Sequence, residues 1–232
     1  MRRLIGLVLL SALVSGTQAG AMSYGLLPFE DGSAALVAQG QIGRDEAERF
    51  AAALQAARAR GAVPRTLLIS SPGGHLDSAL ELGQALRRLG MQTVVGSVAQ
   101  APDGQRGLAA GGCHSACVMV LMAGVGRSVL PGSRVGVHSP QVVVVAGGQG
   151  YRLDDTTNRF LVQRSEPMLR SYARAMGVSP TLIDVAHGVP HSSLRTLTSS
   201  EMSRFRLVTS GPGRTTGRKA ASRRAAKRPT RG

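Results

Sequence analysis

Lysine is nearly missing from this chain of 232 residues, and tryptophan is missing altogether. Both lysines, Lys219 and Lys227, lie near the C-terminus. A serine–lysine catalytic pair within the rest of the chain is therefore excluded, unless the C-terminal segment folds back onto it. Aromatic residues make up only 3% of the sequence and do not alternate with basic residues, which argues against a surface that stacks nucleic-acid bases. Beyond the N-terminal segment, no apolar run is long enough to cross a bilayer.

The N-terminal segment has the pattern of a secretory signal peptide. It reads "MRRLIGLVLLSALVSGTQAGA", with Arg2 and Arg3 followed by a short apolar run and then small residues. This pattern predicts a leader over residues 1–21, cleaved after Ala19 or Ala21, and an uncleaved N-terminal anchor is the alternative. We therefore expect an exported protein of the periplasm or cell envelope.

The C-terminal segment, residues 211–232, is strongly basic. It carries eight lysines and arginines and no acid, and it is rich in small residues without apolar periodicity. Such a composition predicts a disordered tail. Without these eight charges and the two of the leader, the formal net charge falls from +15 to +5. The tail is either a solvated extension or a contact for anionic lipid or polymer.

The remaining residues, 22–210, are enough for one domain with a substantial core. Apolar patterns of strand and helix length alternate along this region, which predicts an α/β fold with parallel strands. The expected strands are 33–42, 64–70, 91–98, 134–138 and an edge strand at 142–145, and residues 205–208 close the domain. The expected helices are 44–61, 75–90, the apolar run after Ser115, 154–176 and 180–187.

Three loops that follow expected strands contain residues suited to catalysis, because ligands of α/β folds gather where strands end. Ser115, in "GGCHSACVMV", opens an apolar helix and is a candidate nucleophile, although a helix-capping serine is the alternative. The backbone N–H of Ala116 is a candidate oxyanion donor. The N–H groups of Gly73 and Gly74 in "SPGG" are further candidates, unless the segment is an ordinary turn.

A nucleophilic serine needs a base, and with lysine excluded the candidates are histidine or a carboxylate. The side chain of His114, adjacent to Ser115, is expected to diverge from it. His138 ends an expected strand just before Ser139 and is the leading candidate, with His75 and His191 behind it.

Two segments together resemble the proteolytic subunit of the Clp protease and related proteins of the Clp-protease/crotonase superfamily. They are "LISSPGGHLDSALELGQALRRLG" and "GCHSACVMVLMAGVGRSVLPGSRVGVHSP". The resemblance extends over about residues 33–208 and implies a spiral of ββα units. It also implies Ser115 as nucleophile, His138 as base, and an oxyanion hole near Gly74 and Ala116.

The chain departs from this family at the third catalytic residue. Where the family has an aspartate, alignment from either side places Ala186 or Pro190. Asp184 is the nearest acid and is the candidate to orient His138, with a backbone carbonyl or Ser192 as alternatives.

The only two cysteines, Cys113 and Cys117, flank Ser115. Their spacing meets the distance limits of a disulfide, and an oxidising compartment would favour the bond. Two buried thiols that fill the core are the alternative. A metal site is not expected, because "CHSAC" supplies too few ligands.

These features predict an exported, ATP-independent serine peptidase without a cofactor, acting on peptides or unfolded proteins. The same features leave open a weak or inactive Clp-like protein that binds peptides or envelope components. An acyl-CoA enzyme of the crotonase type is a third hypothesis, which the predicted export opposes. We expect no ATPase partner outside the cytoplasm, whereas a homo-oligomer is compatible with the resemblance.

Overall fold

The computed structural model describes residues 20–100, 106–146 and 149–209. The predicted basic tail, 211–232, lies outside these residues, as does the predicted leader up to residue 19. Within the described residues, no helix has both the length and the apolar character needed to cross a membrane.

The predicted α/β class is confirmed, although strands follow one another without an intervening helix between residues 92 and 114 and again between residues 127 and 152. The helices are α1 Glu46–Ala59, α2 Leu76–Arg88, α3 Cys117–Ala123, α4 Asp155–Ala175, α5 Thr181–His187 and α6 Ser199–Arg204. The first strands are β1 Ser23–Pro28, β2 Ala34–Gln39, β3 Thr66–Ser70, β4 Gln92–Val95, β5 Ser97–Gln100 and β6 Arg106–Ala109. The others are β7 Gly112–His114, β8 Arg127–Val129, β9 Arg134–Val137, β10 Val143–Ala146, β11 Gln149–Arg152 and β12 Arg195–Thr196.

The main sheet has the strand order β1-β2-β3-β4-β8. Strand β1 is antiparallel to β2, and the other neighbours are parallel. Strand β3 is central, and its residues Leu67, Leu68 and Ile69 are all buried. This continuous apolar run is typical of a parallel strand covered on both faces.

A second, three-stranded sheet has the order β12-β9-β7 and positions the candidate site. Strands β7 and β9 are parallel, with His114 opposite Gly136. The two sheets meet where Ser71, just after β3, forms an isolated bridge with Cys113. The ends of β3, β7 and β9 therefore converge on one edge of the molecule.

Helix α3 is the most deeply buried helix, and every one of its residues is buried. Helix α4 is anchored to it by a hydrogen bond of 3.0 Å from the Tyr172 hydroxyl to the carbonyl of Met119. This contact places α4 over the start of α3, although Pro167 lies within α4.

Arg127 is a buried cation at the start of β8. Its guanidinium donates to five backbone carbonyls, those of Met122, Gly124, Met176, Arg206 and Leu207. Burial, and secondarily the charge of Arg87, lowers the pKa of Arg127. Its contacts join the ends of α3 and α4 to the segment that follows α6.

Candidate active site

Ser115 and His138 each follow the last residue of neighbouring parallel strands. Ser115 comes directly after β7 and His138 directly after β9. The Ser115 N–H donates to the carbonyl of Gly136 at 2.9 Å, which continues the ladder between the two strands. Both residues line a single cavity of about 750 Å³. The structure thus brings the predicted nucleophile and base to one cleft.

Ser115 has a φ of 55°, in the left-handed region that residues other than glycine rarely adopt. The first residue before α3 is Ala116, and no side chain caps this helix. Among the described residues, the Ser115 hydroxyl makes no hydrogen bond, so Ser115 does not act as the helix-capping serine that was the alternative. A strained serine with a free hydroxyl at a cleft is typical of a functional position.

The glycines of the "SPGG" turn allow this turn to lie against Ser115. A Cβ on Gly73, whose φ is +100°, would lie 2.8 Å from the Cβ of Ser115. A Cβ on Gly74, whose φ is +142°, would lie 2.2 Å from the carbonyl oxygen of Ile42. Neither position has room for a side chain.

Of the three predicted oxyanion donors, two have free N–H groups. Within the described part of the chain, the N–H groups of Gly74 and Ala116 donate to no acceptor, and both residues line the cavity. The N–H of Gly73 instead donates to the Ser71 hydroxyl at 3.1 Å. The contribution of Gly73 is therefore the close approach of its backbone to Ser115.

His138 is oriented by a backbone carbonyl. Its Nδ1 lies 2.8 Å from the carbonyl oxygen of Ser139, an atom that can only accept, so we assign the ring proton to Nδ1. This assignment leaves Nε2 able to accept a proton. Ser115 and His138 share no hydrogen bond in this structure, and catalytic hydrogen bonds of this kind often tighten only in the complex with substrate.

Asp184 does not meet His138. Its carboxylate lies on α5 and pairs with the guanidinium of Arg170 on α4. Arg170 also pairs with Glu166 at 2.7 Å, so Asp184 belongs to an ionic network between the two helices. The predicted pairing of Asp184 with the imidazole is absent, and the Ser139 carbonyl occupies the Nδ1 side instead. Ser192, the other alternative, makes no hydrogen bond to His138.

The other histidines have separate roles. His75 precedes α2, and its Nδ1 lies 3.3 Å from the N–H of Ser78 and 2.9 Å from the Ser78 hydroxyl. His187 lies 3.4 Å from the Glu166 carboxylate. His191 packs edge to face with His138, their ring centroids 4.9 Å apart. His114 does not line the cavity, and burial, followed by the charges of His138 and Arg134, lowers its pKa.

The disulfide predicted between Cys113 and Cys117 is present, with the two Cα atoms 5.2 Å apart. Cys113 belongs to β7 and Cys117 is the first residue of α3, and both are fully buried. The covalent loop encloses Ser115. The bond therefore joins the strand before the candidate nucleophile to the helix after it.

An apolar wall completes the cleft and was not predicted from the sequence. It consists mainly of side chains from α3, α4 and α5, namely Met119, Leu161, Val162, Met168, Leu169 and Ile183. The apolar periodicity of the segment 154–176 indicates a helix, but it does not indicate which face lines a cavity.

No protein-family model matches the chain, and no curated protein does. Two solved structures show a distant likeness. One is a serine-to-alanine mutant of the 1510-N membrane-bound stomatin-specific protease, with 15% identity and a TM-score of 0.47 over 73% of each chain. The other is a lysine-to-alanine mutant of that protease in complex with a substrate peptide. It has 14% identity and a TM-score of 0.47 over 73% of this chain and 69% of the other.

Proposed function

We propose that this protein is a serine hydrolase that cleaves peptide bonds, with Ser115 as nucleophile and His138 as general base. The observation that carries the proposal is the convergence of three features on one cleft. These are a strained serine with a free hydroxyl, an imidazole with Nε2 available, and two free backbone N–H groups. Such a set is what acyl transfer requires.

In the proposed reaction, the Ser115 oxygen attacks the peptide carbonyl carbon while its proton passes to Nε2 of His138. The negative charge that develops on the carbonyl oxygen is stabilised by the N–H groups of Gly74 and Ala116. Collapse of the tetrahedral intermediate transfers the proton from His138 to the leaving amine. Water, activated by the same imidazole, then hydrolyses the acyl-enzyme and regenerates the Ser115 hydroxyl.

The apolar wall supports a peptide substrate with an apolar side chain near the cleaved bond. The predicted leader supports action in the periplasm or cell envelope, where no ATPase partner is expected. Short peptides or unfolded proteins are accordingly the proposed substrates. Assembly into a homo-oligomer remains a prediction from the sequence.

A second candidate function is peptide binding without catalysis. It is favoured by one observation: within the described residues, no carboxylate contacts His138, because Asp184 pairs with Arg170. Loss of the acid from a Ser-His-Asp triad lowers the rate by about 10⁴-fold in the best-studied case. A protein that only binds would retain the apolar cleft and lose reactivity at Ser115.

Labelling with a fluorophosphonate probe tests the proposal directly. We expect the purified protein to be labelled at Ser115, Ser115→Ala to abolish labelling, and His138→Ala to reduce its rate by at least about 100-fold. Ser165→Ala is the matched control, since Ser165 lines the same cavity but donates its hydroxyl to the Val162 carbonyl at 2.8 Å. Persistent labelling of Ser115→Ala would refute the assignment, and an unlabelled wild type would favour the binding function.

A further inference from the structure

His191 is in direct contact with the proposed base. The ring centroids of His138 and His191 are 4.9 Å apart, with the planes at 75°. Both rings line the cavity that contains Ser115. The sequence offers His191 as a weaker candidate for the base itself, whereas in the structure it is the neighbour of His138.

The two imidazoles share one acceptor. The carbonyl oxygen of Ser139 lies 2.8 Å from Nδ1 of His138 and 3.3 Å from Nδ1 of His191. A carbonyl oxygen has two lone pairs and can accept both hydrogen bonds at once. Because it can only accept, each Nδ1 contributes a proton. His191 therefore bonds to the same atom that orients the base.

Ser139 is also held by a backbone hydrogen bond from its own N–H. The N–H of Ser139 donates to the carbonyl of Val189 at 2.8 Å, two residues before His191. The loop after α5 thus binds Ser139 through both its N–H and its carbonyl. A change in this loop would alter the direction in which the Ser139 carbonyl points, and with it the His138 ring.

We propose that His191 is a positioning residue that replaces the missing acid by fixing the Ser139 carbonyl against Nδ1 of His138. This inference rests on the proposed function and adds to it the residue that orients the base. During the reaction His138 becomes positively charged, and a fixed carbonyl dipole on its Nδ1–H stabilises that charge. Within the described residues, no hydrogen bond joins His191 to the nucleophile or the oxyanion donors, so we expect it to act through His138.

Two variants separate the hydrogen bond of His191 from its ring. His191→Asn retains an N–H donor close to the position of Nδ1 and loses the ring, whereas His191→Phe retains a ring and loses the donor. Ser192→Ala is the matched control, because Ser192 is the neighbour of His191 in the same loop, is exposed, does not line the cavity and makes no hydrogen bond to His138. The loop position and partial exposure of His191 favour folding of both His191 variants.

The measurement is the concentration dependence of fluorophosphonate labelling, which separates the maximal rate from the half-saturating concentration. We expect His191→Phe to lower the maximal rate by about tenfold, the equivalent of one lost hydrogen bond, and to leave the half-saturating concentration unchanged. We expect His191→Asn to restore the rate to within about threefold of wild type, and Ser192→Ala to be labelled at the wild-type rate.

Several outcomes would overturn the inference. Labelling of His191→Phe at the wild-type maximal rate would show that the donor is not needed. If His191→Asn lowers the maximal labelling rate as much as His191→Phe does, the ring of His191 matters rather than its hydrogen bond. A change in half-saturating concentration alone would show that His191 contacts the probe. If the wild-type protein is not labelled, the proposed function and this inference both fail. If the wild-type protein is labelled and His191→Phe is labelled equally fast, only the inference is overturned.

A second measurement requires no variant. The ¹⁵N chemical shifts of the imidazole nitrogens report which nitrogen carries the proton. We expect neutral His138 and neutral His191 both to be protonated at Nδ1, since both face the same carbonyl oxygen. Protonation of neutral His191 at Nε2 alone would remove its hydrogen bond to Ser139 and overturn the inference.

Discussion

At the scale of single residues, the geometry of the candidate site depends on a backbone turn that has no room for side chains. Gly73 lies against the carbonyl of His114, the Cβ of Ser115 and the N–H of Ala116. A substituent there would push the "SPGG" turn away from the nucleophile and the oxyanion donors. The glycine is therefore needed for steric reasons in addition to its positive φ.

Gly73→Ala should reduce fluorophosphonate labelling by at least about tenfold, since about 1 Å of misplacement can cost about 100-fold in rate. Gly61→Ala is the matched control, because Gly61 also has a positive φ, of 80°, but nothing lies within 4 Å of the added Cβ. That control should lose only about 1 kcal/mol of stability from backbone strain and keep its labelling rate. Equal labelling rates in the two variants would contradict the steric argument.

The lowered pKa of His114 predicts a dependence of stability on pH. Burial, the first cause, opposes protonation in the folded protein, while the unfolded chain takes up the proton near the ordinary value of 6.5. The unfolded state therefore binds more protons over this range, and stability is lost as the pH falls below about 6.5. Above that value the contribution of His114 is complete.

Urea denaturation of wild type and His114→Gln at pH 7.5 and pH 5.5 measures this effect. The variant should lose less stability than wild type between the two values, because it lacks the group that resists protonation. An equal loss in both proteins would assign the acid sensitivity to other groups.

At the scale of elements, the disulfide holds together the strand and the helix between which Ser115 lies. The loop that it closes is very short, so its effect on global stability lies at the low end of about 0–5 kcal/mol. Its main effect is local, on the turn that presents the serine. Reduction of wild type should accordingly lower the labelling rate of Ser115 and change the melting temperature little.

The double variant Cys113→Ala, Cys117→Ala provides the control, since its labelling should be slow and insensitive to the reductant. Denatured, non-reduced protein recovered from the predicted compartment, the periplasm or cell envelope, should contain no titratable thiol. Two free thiols in that protein would show that the disulfide does not form. An equal labelling rate of the wild type with and without reductant would show that the disulfide does not help to present Ser115.

Arg127 joins several elements through backbone carbonyls rather than through a carboxylate. Replacing it with methionine removes five hydrogen bonds to the ends of α3 and α4 and to the segment after α6. We expect a loss of at least about 3 kcal/mol in the free energy of unfolding, because buried carbonyls are left without donors.

Chemical denaturation of Arg127→Met against Arg88→Met checks this expectation. Arg88 is exposed at the end of α2, and its replacement should change the free energy by less than about 0.5 kcal/mol. Similar stabilities of the two variants would show that Arg127 is dispensable.

The long periodic elements could be predicted from the sequence, and the short ones could not. Segment 154–176 was expected as a helix and is one from Asp155 to Ala175 despite Pro167. The sequence predicts no strand between residue 98 and Ser115, yet β6 and β7 lie there. Strands of three or four residues owe their pairing to distant partners, so local patterns indicate them poorly.

The candidate active site could likewise be predicted from the sequence only in part. Ser115 and His138 could be placed together because both belong to loops that follow expected strands of an α/β fold. The sequence left the acceptor for His138 open between Asp184, a backbone carbonyl and Ser192, and the structure places the carbonyl of the adjacent Ser139 against its Nδ1. Asp184 was the nearest acid along the chain, but Arg170 on the neighbouring helix binds its carboxylate.

At the scale of the whole molecule, we expect the predicted basic tail and the described domain to have separable roles. The tail carries eight cations and no acid over residues 211–232. Contacts of such a segment with anionic surfaces are screened over about 8 Å at physiological ionic strength. Binding of the full chain to anionic vesicles should therefore weaken as salt rises.

Truncation after Ser210 should abolish vesicle binding and leave fluorophosphonate labelling unchanged. Vesicles of neutral lipid serve as the control and should bind neither form. Retained binding after truncation would place the anionic contact on the domain, and loss of folding would show that the tail is structural.

The contacts of Arg127 also determine how late during synthesis the domain can complete its fold. Its guanidinium binds the carbonyls of Arg206 and Leu207, and its own backbone pairs with Thr209. A nascent chain that ends before these residues presents a cation in its interior with part of its acceptors not yet synthesised. The native packing around Arg127 and β8 can therefore form only after nearly the whole domain has left the ribosome. Should the predicted leader direct export, a fold that is completed this late would keep the precursor compatible with passage through a translocation pore.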